Sequence, residues 1–269
     1  MQSLPRIVAI VNVTEDSFSD GGRYVEPGAA LAHARALAAA GADVIELGPA
    51  SSHPDARRVP PATQIARLEP VLRGLAGEDV AVGVDATEPE VIRYALAAGV
   101  ALVNDVRGFP DAALYPALAE SEASLVVMHS LVSGDRATRD DASPEVVLDS
   151  IERFFDARLG ALVRAGVREE RLIVDPGMGF FLGRDPRASI AVLQRIPELR
   201  ARFGRPVLVS VSRKSFLRAI TGTGVDEIGA ATLAAELYAA RVGVDWIRTH
   251  DVKALRDGLK VEGALGEKV

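Results

Sequence analysis

Asp85, Asn104 and Asp175 each stand at the end of a short apolar run (Val80–Val84, Ala101–Val103 and Leu172–Val174). Two carboxylates and an amide suit a flat heterocycle with several N–H donors and a carbonyl. Such partners fix its orientation, because an analogue lacking them leaves buried polar groups unpaired. Singly, each reads equally well as a loop cap or half of an ion pair; their convergence favours a site. Ser212-Arg213-Lys214 follows Val207–Val211, and Arg248-Thr249-His250 follows Trp246-Ile247. A short basic cluster is usually a solvated turn. Here Arg248 and His250 answer it from the next run, and the set reads as a clamp for a di-anion. Asn12, after Ile7–Val11, offers a neutral oxygen, a weak metal ligand alone but adequate for Mg²⁺ already held by phosphates.

The chain has four histidines, of which His53, His129 and His250 fall at or just beyond such ends, while His33 lies inside a predicted helix. No His-x-x-x-His pair accompanies them, so zinc is not expected. His129 is expected to be a packed polar residue beneath the mouth. The polar stretch from Asn12 to Gly22 reads as a linker or, equally, as a mobile lid.

Eight apolar runs must position these groups; the remaining two are Val44–Leu47, around Glu46, and Leu125–Met128, into His129. They are Val/Ile-rich and mostly do not alternate, as strands buried on both faces read. Helical patterns lie between them at 27–40, 61–75, 89–98, 111–120, 144–165, 186–202, 227–241 and 252–265, several opening at proline and stopping at glycine. Eight alternating strand–helix units predict an α/β chain with a parallel sheet closed into a (β/α)8 TIM barrel, one domain over 1–269. A doubly wound open sheet is the alternative. In a barrel all eight strand ends meet at one mouth.

Composition agrees. The 269 residues suit one such domain, and 48% hydrophobic with 25% charged residues is an ordinary globular balance. A net charge of -6 disfavours nucleic acid as the main partner. Cysteine is absent, which excludes disulfides and thiol catalysis. The start lacks a charged leader, and no apolar stretch approaches the roughly 20 residues of a membrane span. A cytoplasmic protein without a membrane partner is expected.

The motifs Asn12-Val13-Thr14-x-Asp16-Ser17-Phe18-Ser19-Asp20-Gly21-Gly22, Asn104-Asp105, Met128-His129, Asp175-Pro176-Gly177-x-Gly179-Phe180, Ser212-Arg213-Lys214 and Arg248-x-His250-Asp251 resemble those of the dihydropteroate synthases, in order, from about Arg6 to Leu265. The resemblance implies a barrel that joins 6-hydroxymethyl-7,8-dihydropterin diphosphate to 4-aminobenzoate and releases diphosphate. It implies that Asp85, Asn104, Met128, Asp175 and Lys214 hold the pterin. Asn12, His53, Arg248 and His250 would hold the diphosphate with Mg²⁺, the metal through Asn12. Ser52, Phe180, Phe181 and Ser212 would serve the aminobenzoate side. Lys214, Arg248 and His250, the last as an imidazolium, would be the catalytic charges. It also implies a homodimer through late helices around Ala230–Ala240.

Two loops depart from the common family pattern. Gly48-Pro49-Ala50-Ser51-Ser52-His53 places His53 where an arginine is usual, for which Arg57 or Arg58 could substitute, and Ala86 follows Asp85 in place of a hydroxyl residue. Gly179-Phe180-Phe181-Leu182-Gly183 is about two residues longer. Both loops are similar to those of the mobile-element-encoded, sulfonamide-resistant synthases, which implies that Phe181 narrows the aminobenzoate pocket against the drugs. The alternatives are a pterin-dependent methyltransferase and a non-catalytic pterin-binding paralogue; His53 and Ala86 favour the second.

Overall fold

The computed structural model describes residues 4–14, 27–51, 57–131 and 142–266. Ser52, His53 and most of the stretch after Asn12 lie outside the described residues. Among the described residues, eight strands alternate with helices: β1 (Arg6–Asn12), α1 (Pro27–Ala39), β2 (Val44–Gly48), α2 (Pro61–Leu75), β3 (Ala81–Asp85), α3 (Pro89–Ala97), β4 (Leu102–Asp105), α4 (Tyr115–Glu120), β5 (Ser124–Met128), α5 (Pro144–Arg164) and β6 (Leu172–Asp175). Then come α6 (Pro186–Gln194), α7 (Ile196–Phe203), β7 (Leu208–Val209), α8 (Ser215–Thr221), α9 (Gly229–Arg241), β8 (Trp246–Thr249) and α10 (Val252–Gly266). The strands form one parallel sheet in the order β6-β5-β4-β3-β2-β1-β8-β7. A single bridge, Val174 to Val207, joins its two edges into the expected (β/α)8 barrel.

The expected elements differ from the observed ones in four places. The predicted helix 186–202 is two helices that break at Arg195, because Pro197 in the first turn of α7 has no N–H to continue the ladder. The predicted helix 111–120 begins as a 3-10 turn at Ala112–Leu114, where the Asp111 side chain accepts from the Ala113 amide at 2.9 Å, before α4. The run Val207–Val211 is a strand only at Leu208–Val209. No helix was expected at α8, whose seven residues are too few to show a period.

The barrel interior explains why the strand ends converge. Val8, Val44, Ala81, Leu102, Val126, Ile173, Leu208 and Trp246, one residue from each strand, pack together as a layer inside the barrel. Side chains alternate along a strand, so residues two and four further on also face inward. Those residues include Asn12, Glu46, Asp85, Asn104, Met128, Asp175, Ser210, Ser212, Arg248 and His250. The outer faces of the strands pack against the helices in the larger core, with Ile45, Val103, Val127 and Ile247 among them. No helix among the described residues is long and apolar enough to cross a membrane.

Candidate active site

Above the apolar layer, a cavity of about 310 Å³ is lined by Asp85, Asn104, Met128, Asp175, Lys214 and Arg248, with Val106, Met178, Phe181 and Ser210. The structure therefore brings together all five residues expected around the heterocycle. Arg248 lines the same cavity. Arg248 Nε donates to Glu46 Oε2 at 2.5 Å, and its terminal NH2 donates to Asp85 Oδ2 at 2.9 Å. Glu46 is fully buried and accepts from Asn104 Nδ2 at 3.3 Å through its other oxygen. Asn104 Oδ1 and Ser210 Oγ are buried without a partner among the described residues, and Asn104 and Ser210 both line the cavity. Unpaired buried polar atoms are costly, which suits a ligand that supplies donors to them.

Glu46, which the sequence places in the middle of an apolar run, is the third carboxylate of this network. Its signal was a carboxylate in the middle of an otherwise apolar buried strand, which is tolerated only when paired. It adds a third carboxylate to Asp85 and Asp175, against the two cations Arg248 and Lys214. Burial pushes Asp85 up to about 7 even with Arg248 beside it, and pushes Asp175 up to about 6 against the Gly177 amide, which donates to Asp175 Oδ1 at 2.8 Å. Burial, and then Arg248, brings Lys214 down to about 8. The Lys214 ammonium lies 5.3 Å from the Phe181 ring centroid, a cation–π arrangement.

These shifts fix a sign. Between the usual aspartate value of 3.8 and about 7, the folded protein binds more protons than the unfolded chain at Asp85 and Asp175. Their contribution to stability is therefore fully present below 3.8 and is lost as pH rises through 6 to 7. Urea unfolding at pH 5 and pH 7.5 is expected to show the wild type losing more stability over this interval than Asp85→Asn. Equal losses would mean that Asp85 ionises normally in the fold.

Ser212 and His250 are bonded to each other on the side where the anion is expected. His250 Nδ1 lies 2.9 Å from Ser212 Oγ, and the same hydroxyl accepts from the His250 amide at 3.3 Å. Ser212 thus holds His250. Burial, reinforced by Arg213, Arg248 and Lys214, holds His250 well below its usual value. Burial first, and then these three cations, disfavour the expected imidazolium. Asn12 ends β1 half-buried, with its side-chain oxygen 3.3 Å from where a Cβ on Gly48 would lie. Thr14, two residues on, has a buried hydroxyl with no partner among the described residues. No group of three or more His, Cys, Asp or Glu suited to a metal occurs among the described residues. A neutral amide oxygen such as that of Asn12 is a hard donor, which would suit Mg²⁺ whose charge is met by phosphate rather than by the protein.

His129 is a packed residue, as expected. Its inward neighbour Met128 lines the cavity, while its own ring turns outward. Nδ1 lies 3.2 Å from the Pro176 carbonyl and must carry the proton; Nε2 accepts from Ser150 Oγ at 3.0 Å. Burial takes it down to about 4, so it stays neutral. Phe180 is half-buried at the rim and Phe181 buried, both in the 3-10 turn Gly179–Leu182. A second cavity of about 450 Å³ shares Asp85 and Val106 with the first and is also lined by Arg57, Arg58 and Glu88. Arg58 donates to Glu88 there at 3.1 Å.

Residues 8–250 match the sequence model of the pterin binding enzymes. The chain belongs to that family, a class of parallel-barrel enzymes. It is 59% identical to a type-2 dihydropteroate synthase of Escherichia coli over 97% of this chain and 96% of that one. It is 49% identical to a type-3 dihydropteroate synthase of the same organism over 98% of this chain and 100% of that one. Among solved structures, the Xanthomonas albilineans dihydropteroate synthase with 4-aminobenzoic acid superposes with a TM-score of 0.88 at 36% identity, covering 99% of this chain and 94% of that one. Within the family, the chain stands with the dihydropteroate synthases, transferases of folate biosynthesis. The resemblance carried by its strand-end motifs is borne out.

Proposed function

We propose that the cavity over Asp85, Asn104, Asp175 and Lys214 holds the dihydropterin ring while its diphosphate lies toward Ser212, His250 and Asn12. The observation that carries this reading is the Glu46–Arg248–Asp85 network beside the two unpartnered acceptors. The pterin ring donates electrons into its exocyclic CH₂–O bond. That bond breaks with its electron pair leaving on the diphosphate. The amine lone pair of 4-aminobenzoate then forms the new C–N bond, and its proton passes to solvent. Positive charge grows on the pterin during departure, and Asp85, Asp175 and Glu46 stabilise it. Arg248 and Lys214 stand between the two charges, and His250 can take up a proton once the anion offsets the cations around it. Mg²⁺, held by Asn12 and the diphosphate itself, would supply further positive charge to the leaving group.

The test is diphosphate release from the dihydropterin diphosphate with Mg²⁺, with and without 4-aminobenzoate. Release that depends on aminobenzoate and yields dihydropteroate is expected. Pterin binding without release would leave the non-catalytic paralogue.

The aminobenzoate lies against Phe180 and Phe181 in this reading, with Ser52 nearby. Phe181 packs with Val106 and Met128, and its carbonyl accepts from the Leu131 amide at 3.0 Å. Its buried ring supports a pocket too narrow for a sulfonamide. Phe181→Gly is expected to raise sulfonamide affinity about tenfold or more, since an overlapping ring costs at least 1.4 kcal/mol. Inhibition constants for wild type and variant measure this; equal constants would sink the idea. Exposed Tyr238 on α9 and Val261 and Leu265 on α10 support a homodimer through the late helices. A cytoplasmic setting follows from the same reading.

A further inference from the structure

Helix α9 touches no part of the cavity, yet it carries two polar side chains on the face turned into the protein. Thr232 is 6% exposed and Glu236 1%. They are one helical turn apart and so lie one above the other. Thr232 Oγ1 accepts from the Arg213 amide at 3.2 Å. Arg213 is held there in a left-handed conformation, φ 58, which a side-chain-bearing residue adopts only when its surroundings impose it. Glu236 is hydrogen-bonded to Thr249, the one residue of Arg248-Thr249-His250 whose side chain faces outward. Thr249 Oγ1 in turn accepts from the Asp251 amide at 3.2 Å. The second Glu236 oxygen, Oε1, has no partner among the described residues. Burial pushes the Glu236 carboxyl up to about 8, against the Thr249 hydrogen bond, which favours its charged form, and with Asp251 nearby adding to the rise.

We propose that Thr232 and Glu236 are positioning residues of the diphosphate site: one face of α9 sets the spacing between the basic loop after β7 and the Arg248–His250 segment of β8. Thr232 fixes the turn that presents Lys214, and Glu236 fixes the strand end that presents Arg248 and His250. A buried carboxyl on a helix facing β8 is otherwise a liability, since an apolar residue would pack there at lower cost. The inference rests on the reading of these loops as the diphosphate site.

The experiment begins with calorimetric binding of inorganic diphosphate, with Mg²⁺, to the wild-type chain. No binding would overturn the site assignment and this inference with it. With binding established, Thr232→Val and Glu236→Leu are each expected to raise the diphosphate dissociation constant and the KM for dihydropterin diphosphate about fivefold, the cost of one lost hydrogen bond. Binding of 6-hydroxymethylpterin, which has no diphosphate, and the KM for 4-aminobenzoate should stay at wild-type values. Thr232→Ser and Glu236→Gln, which keep the hydrogen bonds, should restore the wild-type diphosphate constants. If the valine and serine variants behave alike, or if pterin binding falls in step with diphosphate binding, α9 is only packing and the inference is overturned while the site assignment stands.

Discussion

Arg248→Met is expected to lose about 3–5 kcal/mol of stability, because it strands a buried carboxylate without its counter-charge. Glu46 is fully buried, and Arg248 reaches it through two nitrogens; the remaining partner is Asn104 at 3.3 Å. The same change removes the donor to Asp85 Oδ2, so Asp85 loses its strongest reason to ionise. Turnover should fall by about 10²–10³, the usual effect of deleting one preorganised charge from a site where charge develops. Stability and activity can be separated. The double variant Glu46→Gln with Arg248→Met no longer buries an unpaired ion, so urea unfolding should show most of the lost stability regained, while turnover stays low. A single variant as stable as wild type would mean that the Glu46–Arg248 pair does not hold the fold together.

Gly177→Ala is the second large effect. Gly177 has φ 79, and a Cβ there would lie 2.5 Å from the His129 carbonyl oxygen, which is backbone and cannot rotate away. The glycine amide also holds Asp175 Oδ1, and the His129 amide donates to the Asp175 carbonyl at 2.8 Å. Relieving the clash must therefore shift the ends of β5 and β6 together and re-aim Asp175. About 1–2 kcal/mol is lost to the left-handed backbone alone, and a shift near 1 Å in a positioning group costs about 100-fold in kcat/KM. Gly204→Ala is the control. Gly204 is also left-handed, at φ 59, but a Cβ there meets nothing within 4 Å. It should lose the backbone contribution and leave kcat/KM unchanged. Equal kinetics for the two variants would show that the Gly177 contact is slack.

Much of this was legible in the chain. Strands buried on both faces must be apolar throughout, so a polar residue at the end of such a run marks where burial stops and the mouth begins. That logic found Asp85, Asn104, Asp175, Lys214 and Arg248. It could not show which side chains satisfy one another. Ser212 and His250, expected to serve different substrates, are bonded to each other across 38 residues. Glu46 and Arg248 are 202 residues apart, and only closure of the barrel makes them partners. The lowered proton affinity of His250 has the same origin: burial first, then three cations that the fold brings beside it, and the sequence does not reveal that crowd. The pairing of Glu236 with Thr249 depends on which face of α9 turns inward, and the Ala-rich helix left that open.

The barrel is joined around most of its circumference by continuous ladders, but between β6 and β7 by one bridge. Mechanically it is a split ring. Asp175 stands on one lip of the split, and the loop with Lys214 rises from the other. The other strand ends are held in register by paired neighbours, whereas this carboxylate and this ammonium stand on either side of the split. In the proposed binding mode a flat ring bonded to both lips would complete the hoop, and the ligand would become a structural member of the wall.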